Sequence, residues 1–222
     1  MYLSRKQADC QWSMPFSLTS TTGFESYHLT LVMKKMRKTM FEYKIDEEVS
    51  LALPRPKLDA TPLFALIDDS RAQIAQWLPW VEKLKSIADE ETFLMKMMAR
   101  FGTGSSLNAV IRFKGQAAGM ISFNKFHAMD QSTDIGYWLG NQFVGNGIMH
   151  RAVAGMCDLG FTDYHVHKII IEAAVDNRRS NQVAEKAGFT CDGSVRANML
   201  LADGYHDGNI WTMLADEWQN KQ

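Results

Sequence analysis

The sequence predicts an α+β domain: a mixed, mostly antiparallel central sheet flanked by helices. Three observations carry this. Alternating apolar runs flank two short turn signals, Lys114-Gly115 and Asp203-Gly204, so much of the sheet pairs through hairpins. One run, Lys168–Val175, is almost continuously apolar, as in a strand covered on both faces. The helical segments do not alternate one for one with the strands, which excludes a doubly wound sheet.

Each element follows in order. Val49–Leu53 alternates as a short strand closed by Pro54 and Pro56. Thr61-Pro62 reads as a helix start, a hydroxyl cap followed by proline at the first helical position. Leu63, Ile67, Ile74 and Leu78 then share one helical face, and Pro79 stops the helix. A second helix spans about 89–101. Asp89, Glu90 and Glu91 stand at the end where the helix dipole favours negative charge, and Phe93, Met97 and Met98 point to the core. Strands over Leu107–Phe113, Gln116–Phe123 and Ser132–Leu139 follow, then a helix over about 148–163. After Lys168–Val175 comes a short helix, 178–187, ended by Gly188 as a natural C-cap. Strands over about 189–202 and 205–214 close the chain.

Composition narrows the function classes. The 222 residues are 46% hydrophobic and 22% charged with a net charge of −1, an ordinary globular balance without the basic excess of a dedicated nucleic-acid binder. No apolar run approaches the roughly 20 residues of a membrane span. Three cysteines, Cys10, Cys157 and Cys191, form no disulfide framework, which points to a reducing compartment, the cytoplasm. Charge is unevenly spread: residues 1–39 carry +4 and residues 40–222 carry −5. The first segment lacks sustained periodicity and is expected to be a flexible extension, translation upstream of a start at Met40, or a basic arm that touches an acidic partner or ribosomal RNA. The domain proper is expected over 40–222.

The strongest chemical signal is a glycine loop between a strand and a helix, Gly136-Tyr-Trp-Leu-Gly140-Asn-Gln142-Phe-Val-Gly145-Asn-Gly147-Ile148-Met149. Backbone N–H groups of such a turn, backed by a helix N-terminus, form an anion cradle. No lysine follows Gly147, so it is not a P-loop, and His150 stands where a dinucleotide fingerprint needs glycine or alanine.

The pattern Gln142-x-x-Gly145-x-Gly147 after Gly136-Tyr-Trp-Leu139 resembles the acetyl-CoA loop of the GCN5-related N-acetyltransferases. A second block, Asn177-Arg-Arg-Ser180-Asn181 through Lys186-Ala-Gly188-Phe189, resembles the branch that acetylates protein N-termini, nearest to the RimL type of ribosomal-protein-serine acetyltransferase. Ile121-Ser-Phe-Asn124 and Tyr205-His206-Asp207 match the same type, and the resemblance spans about 45–215.

That resemblance implies a site. Acetyl-CoA, as co-substrate and without a metal, would place its pyrophosphate on the amides of Phe143, Val144, Gly145, Asn146, Gly147 and Ile148, next to Gln142. Its pantetheine arm would pair with the backbone of Tyr137, Trp138 and Leu139 like an added strand and meet Asn177. The thioester would lie where this strand splays from Lys168–Val175. A backbone N–H of Tyr137–Leu139 would face the oxyanion. Ser180 would hand the leaving thiolate a proton, although the same hydroxyl could cap its helix. Trp80, Asn124 and Glu172 would border the acceptor amine.

The match breaks at the base. The stalk-protein enzymes carry a glutamate where Met199 falls, and no carboxylate lies between Gly193 and Ala202. His206, Asp207, Glu172 or an ordered water remain. An α-amine with a pKa of about 7.7–8.0 needs less help than a lysine at about 10.4. The expected acceptor is therefore a protein N-terminal amine, such as a ribosomal protein's. A small amine such as a polyamine or antibiotic, and an acetyl-CoA sensor without turnover, are the alternatives. His165 and His167 near Cys157 lack the ligand number of a zinc site. The edge of the final hairpin could pair two copies.

Overall fold

The computed structural model describes residues 41–220. The segment 1–39, with Cys10, lies outside the described residues. Eight strands form one sheet: β1 (Glu42–Lys44), β2 (Val49–Ala52), β3 (Leu107–Phe113), β4 (Gln116–His127), β5 (Ser132–Leu139), β6 (Lys168–Ala174), β7 (Thr190–Leu201) and β8 (Gly204–Leu214). Their spatial order is β1-β2-β3-β4-β5-β6-β8-β7. All neighbours are antiparallel except β5 and β6. Among the described residues five α-helices accompany them: α1 (Pro56–Ala75), α2 (Ile87–Gly102), α3 (Ile148–Thr162), α4 (Arg178–Lys186) and α5 (Ala215–Gln219). The mixed, mostly antiparallel sheet is as the sequence predicts.

The strand alternation sorts side chains between two helical layers. Phe123, Ile121, Ile169 and Ile171 are fully buried, and Gly160 of α3 lies against Phe123 and Ile169. On the opposite face Leu66 of α1 approaches Gly140, and Arg112 of β3 reaches Asp59 of α1 at 2.8 Å. Burying each large aliphatic or aromatic side chain contributes about 1.5–3 kcal/mol, so this sandwich supplies the rigidity on which the cleft is built.

The first hairpin is built as expected: Lys114 and Gly115 both have positive φ, 50° and 79°, the twist a two-residue turn needs. Gly188, at φ 78°, ends α4. The start of α1 differs from expectation. The helix begins at Pro56, not at Thr61, and Pro62 is accommodated inside it. The Asp59 carboxylate accepts the Arg55 backbone N–H at 2.8 Å and the Arg55 guanidinium, which satisfies the helix entry one turn earlier than the Thr-Pro signal. Helix α2 is capped by Ser86, whose hydroxyl accepts from Asp89 N–H at 3.2 Å and donates to the Asp89 carboxylate. Its buried positions are Leu94 and Glu90, while Phe93, Met97 and Met98 are half-buried. β1 and α5 carry no strong sequence pattern and were not expected.

The sheet opens in the middle. β5 and β6 pair only at Ser132–Lys168, Thr133–Ile169 and Asp134–Ile170. Beyond that, β5 stays registered on β4 as far as Leu139–Gly119, and β6 stays on β8 as far as Ala174–Gly208. Each strand follows its outer neighbour, so the twist of the sheet pulls the two apart. Gly119 is required here: a β-carbon on it would sit 2.9 Å from Leu139 Cα.

Candidate active site

A cleft of about 900 Å³ fills the gap between β5 and β6 and continues to the start of α3. Its walls are the free edge of β5 from Ile135 to Leu139, Ile171–Ala174 of β6, the entries of α3 and α4, and the end of α1 with the turn after it, between Gln73 and Leu78.

At one end stands the glycine loop. Gly145 and Gly147 have φ of 89° and 67°, a left-handed backbone that suits glycine. Gly147 is the N-cap of α3, and no side chain caps this helix. The amides from Gly145 to Ile148 have no backbone acceptor among the described residues. The cradle is shorter than the sequence implied. Phe143 N–H already donates to Gly140 O at 2.9 Å and Val144 N–H to Asn141 O at 3.2 Å. Phe143 is buried edge-on against Phe113, although both it and Val144 line the cleft. Gln142 and Asn146 do not line it; the Asn146 amide donates to Phe143 O at 3.1 Å and braces the turn. Arg178, Arg179 and Lys186 stand along the cleft wall beside His150, three cations that the glycine-loop motif does not account for. The Arg178-Arg179 pair inside the second motif was the available signal.

In the middle of the cleft, Tyr137 of β5 meets Ser180 of α4. The phenol oxygen lies 2.9 Å from Ser180 Oγ and donates to Ser180 O at 3.2 Å. Burial pushes the Tyr137 phenol up to about 12, so it stays protonated at neutral pH. Ser180 does not cap its helix. Asn177 is the cap, its Oδ1 accepting from Ser180 N–H at 3.1 Å, which leaves the serine hydroxyl to Tyr137 and the cleft. Asn177 lines the cleft too, its amide nitrogen not engaged by the cap. Asn181 pins the corner: its Nδ2 donates to Ala174 O at 2.9 Å and its Oδ1 accepts from Asn209 and from the Trp211 indole at 2.8 and 2.9 Å. The motif does not reveal this bracing role, because Asn209 and Trp211 are more than twenty residues away in sequence.

The acceptor side differs more from expectation. Trp80 does not line the cleft; it stacks on Phe93 with ring centroids 6.1 Å apart, and Trp77 borders the cleft instead. Asn124 does not line the cleft either. Its amide donates to Asp134 and its Oδ1 accepts from Ser122, which holds it over Gly136 of the cleft wall. His206 stands opposite Met199 in the hairpin, with Nε2 2.8 Å from Asp203 Oδ1, and lies outside the cleft lining. Asp207 accepts the Ala197 N–H at 2.9 Å. Met199 and Glu172 both line the cleft. Glu172 is exposed, in contrast to the two-face burial expected of its strand, while its neighbours Ile171 and Ala173 are buried. Trp138 and Leu139 lie on the β5 edge as expected.

Among the described residues no group of three or more His, Cys, Asp and Glu side chains could hold a metal, and no helix is long and apolar enough to cross a membrane.

The arrangement has recognisable relatives. The chain is 29% identical over 185 residues to YdaF of Bacillus subtilis (strain 168), covering 82% of this chain and all of that one. It is 28% identical over 155 residues to the ribosomal-protein-serine acetyltransferase of Escherichia coli (strain K12), covering 70% of this chain and 87% of the relative. Among solved structures, the microcin C7 self-immunity acetyltransferase MccE in complex with acetyl-CoA and AMP superposes with a TM-score of 0.75 at 28% identity, over 81% of this chain and 99% of that one. The fold is also shared with RimL in complex with coenzyme A, at a TM-score of 0.75 and 24% identity over 79% and 99% of the two chains. Residues 49–190 match the family described as the acetyltransferase (GNAT) domain. The chain belongs to that family of acetyltransferases.

Proposed function

We propose that the protein moves the acetyl group of acetyl-CoA onto the N-terminal amine of a protein, a ribosomal protein being the acceptor that the named relatives favour. The observation that carries this is the splay of β5 from β6, which runs from an uncapped glycine-rich helix entry to the Tyr137–Ser180 pair. The pyrophosphate rests on the amides of Gly145–Ile148, beside the basic wall. The pantetheine amides extend along the unpaired edge of Ile135–Leu139, and Asn177 offers its amide to the arm.

Transfer is direct. The neutral amine attacks the thioester carbon, and a β5 backbone N–H faces the oxygen that becomes negative. The C–S bond then breaks. A phenol held near 12 is a weaker acid by several units than a thiol of about 8.5. Tyr137 therefore does not protonate the leaving sulfur; it holds Ser180, whose hydroxyl donates a hydrogen bond to the sulfur, and the proton that completes the thiol comes from solvent. Charge-assisted bonds of this kind are roughly twice as strong as neutral ones. Glu172, on the acceptor side, contacts the incoming amine.

The test is acetyl transfer by the full chain to a ribosomal-protein extract, with the acetyl group located by mass spectrometry. A second reading has one observation behind it: Glu172 has no cationic partner among the described residues, which suits a polycation such as spermine. Acetylated spermine without acetylated protein would select it. Acetyl-CoA binding without any transfer would mark a sensor.

A further inference from the structure

On the acceptor side, one hydrogen bond spans three strands. Asn198 of β7 reaches over β8 and donates from Nδ2 to Glu172 Oε2 of β6 at 3.0 Å. Two local features make this reach possible. The register between β7 and β8 shifts between Val195 and Met199, with Ala197 in the left-handed region at φ 51°, and at this bulge the exposed Asn198 side chain is directed across the sheet to β6. Below it, β8 presents Gly208, where a β-carbon would lie 3.0 Å from Asn198 Nδ2 and 3.3 Å from Met199 Cγ. The missing side chain leaves the channel through which the amide passes. Ala197 N–H donates to Asp207 Oδ1 at 2.9 Å and fixes the bulge.

Glu172 and Asp176 are the two carboxylates that line the cleft, and Glu172 is the one just beyond the last β5–β6 pair, Asp134–Ile170, where the strands begin to part. No cation pairs with it among the described residues, and Asn198 occupies only one of its oxygens. His206 and Asp207, the other nearby titratable groups of the hairpin, are bound to Asp203 and to the Ala197 backbone. We infer that Asn198, passing over Gly208, is a positioning residue that aims Glu172 at the acceptor amine, and that Glu172 is the group that takes the amine's proton. The inference rests on the proposed amine transfer and specifies its acceptor side. The N–C bond forms, the C–S bond breaks, and the proton lost by nitrogen passes to Glu172 and on to solvent, while the departing sulfur takes one up.

The test is a double-mutant cycle on the full chain with acetyl-CoA and a serine-initiated peptide. Losing a general base costs on the order of a hundredfold or more, so Glu172→Gln should lower kcat by at least about that. A hydrogen bond to a charged group is worth roughly tenfold or more, so Asn198→Ala should lower kcat about tenfold. Gly208→Ala should reproduce the Asn198→Ala defect without touching either side chain's identity. The double variant Glu172→Gln/Asn198→Ala should be no worse than Glu172→Gln alone, because the asparagine acts only through the carboxylate. KM for acetyl-CoA should stay within about twofold throughout, a split that general loosening of the hairpin would not produce. Multiplying defects, or an Asn198→Ala enzyme indistinguishable from wild type, overturn the inference. If wild type ignores the peptide but acetylates spermine, the acceptor of the proposed function is wrong and the same cycle, run on spermine, still decides the inference. If neither amine is acetylated, both fall.

Discussion

Tyr137 Oη lies 2.9 Å from Ser180 Oγ, joining β5 to the first turn of α4 across the open part of the sheet. The contact exists because Asn177 takes over the capping of α4 and frees the serine hydroxyl. Removing the hydroxyl should weaken stabilisation of the leaving sulfur. Ser180→Ala is expected to lower kcat by on the order of a hundredfold with KM for acetyl-CoA little changed. Tyr137→Phe should cost about tenfold. Steady-state kinetics of thiol release check both, and an unchanged kcat in Ser180→Ala would remove the serine from the mechanism.

The pH profile should be one-sided. Burial holds Tyr137 at about 12, so the phenol keeps its proton and its donor role far above neutral pH. The rate on an N-terminal amine should rise as the amine deprotonates, near its pKa of about 8, and then stay level to pH 10. A falling limb between pH 8 and pH 10 would show that a group of ordinary acidity, and not the Ser180 hydroxyl held by Tyr137, donates to the sulfur.

Gly147 caps α3 with φ 67° and has open space where a β-carbon would go, so only backbone strain opposes substitution. A left-handed non-glycine residue costs roughly 1–2 kcal/mol. Gly147→Ala is expected to raise KM for acetyl-CoA about tenfold as the loop relaxes, with kcat nearly unchanged. Titration calorimetry with coenzyme A checks this without an acceptor.

Stability carries a separate signature. Glu90 of α2 is 1% exposed, and neither carboxylate oxygen finds a hydrogen-bond partner among the described residues. Burial raises its pKa from 4.5 to about 7. The folded state thus holds the proton more tightly than the unfolded state, so stability falls as pH rises from about 4.5 to about 7 and the whole penalty is present above that. A shift of this size corresponds to about 3 kcal/mol. Glu90→Met should therefore raise Tm, with a gap that widens from pH 5 to pH 8 in thermal melts.

Asp59 behaves oppositely. Burial disfavours its charge, yet hydrogen bonds from Arg55 and Arg112 outweigh this and hold the carboxyl below its ordinary value. Its stabilisation is present above about pH 4 and is lost as pH falls through the depressed folded value. Asp59→Ala leaves Arg112, only 12% exposed, without its partner and is expected to cost about 3–5 kcal/mol at pH 7 by denaturant unfolding.

The strands, the two hairpins, the glycine loop and the second motif were legible because each is a local pattern: alternation, turn residues, a run of glycines. The start of α1 was not, because the Thr61-Pro62 signal competed with Asp59, whose partner Arg112 lies on a distant strand. Nor could charge alone tell which acid of Asp89, Glu90 and Glu91 turns inward; Asp89 serves the cap and Glu90 is buried. The sequence singles out Ser180 and Asn177, which both line the cleft, but not that Asn177 takes the cap while Ser180 meets Tyr137, since that depends on Tyr137 arriving from another strand. Trp77 and Trp80 are three residues apart, and only the packing of Phe93 decides which one faces the cleft. Asn198 was invisible because its role requires a bulge and a glycine on the neighbouring strand.

The most direct test of the whole account is to incubate the full chain with acetyl-CoA and a ribosomal-protein extract and to map every new acetyl group by mass spectrometry, with Ser180→Ala as control. The account predicts acetylation of an α-amine at a protein N-terminus, strongly reduced in the control. Acetyl groups confined to lysine side chains or to added spermine, or none at all, would contradict it.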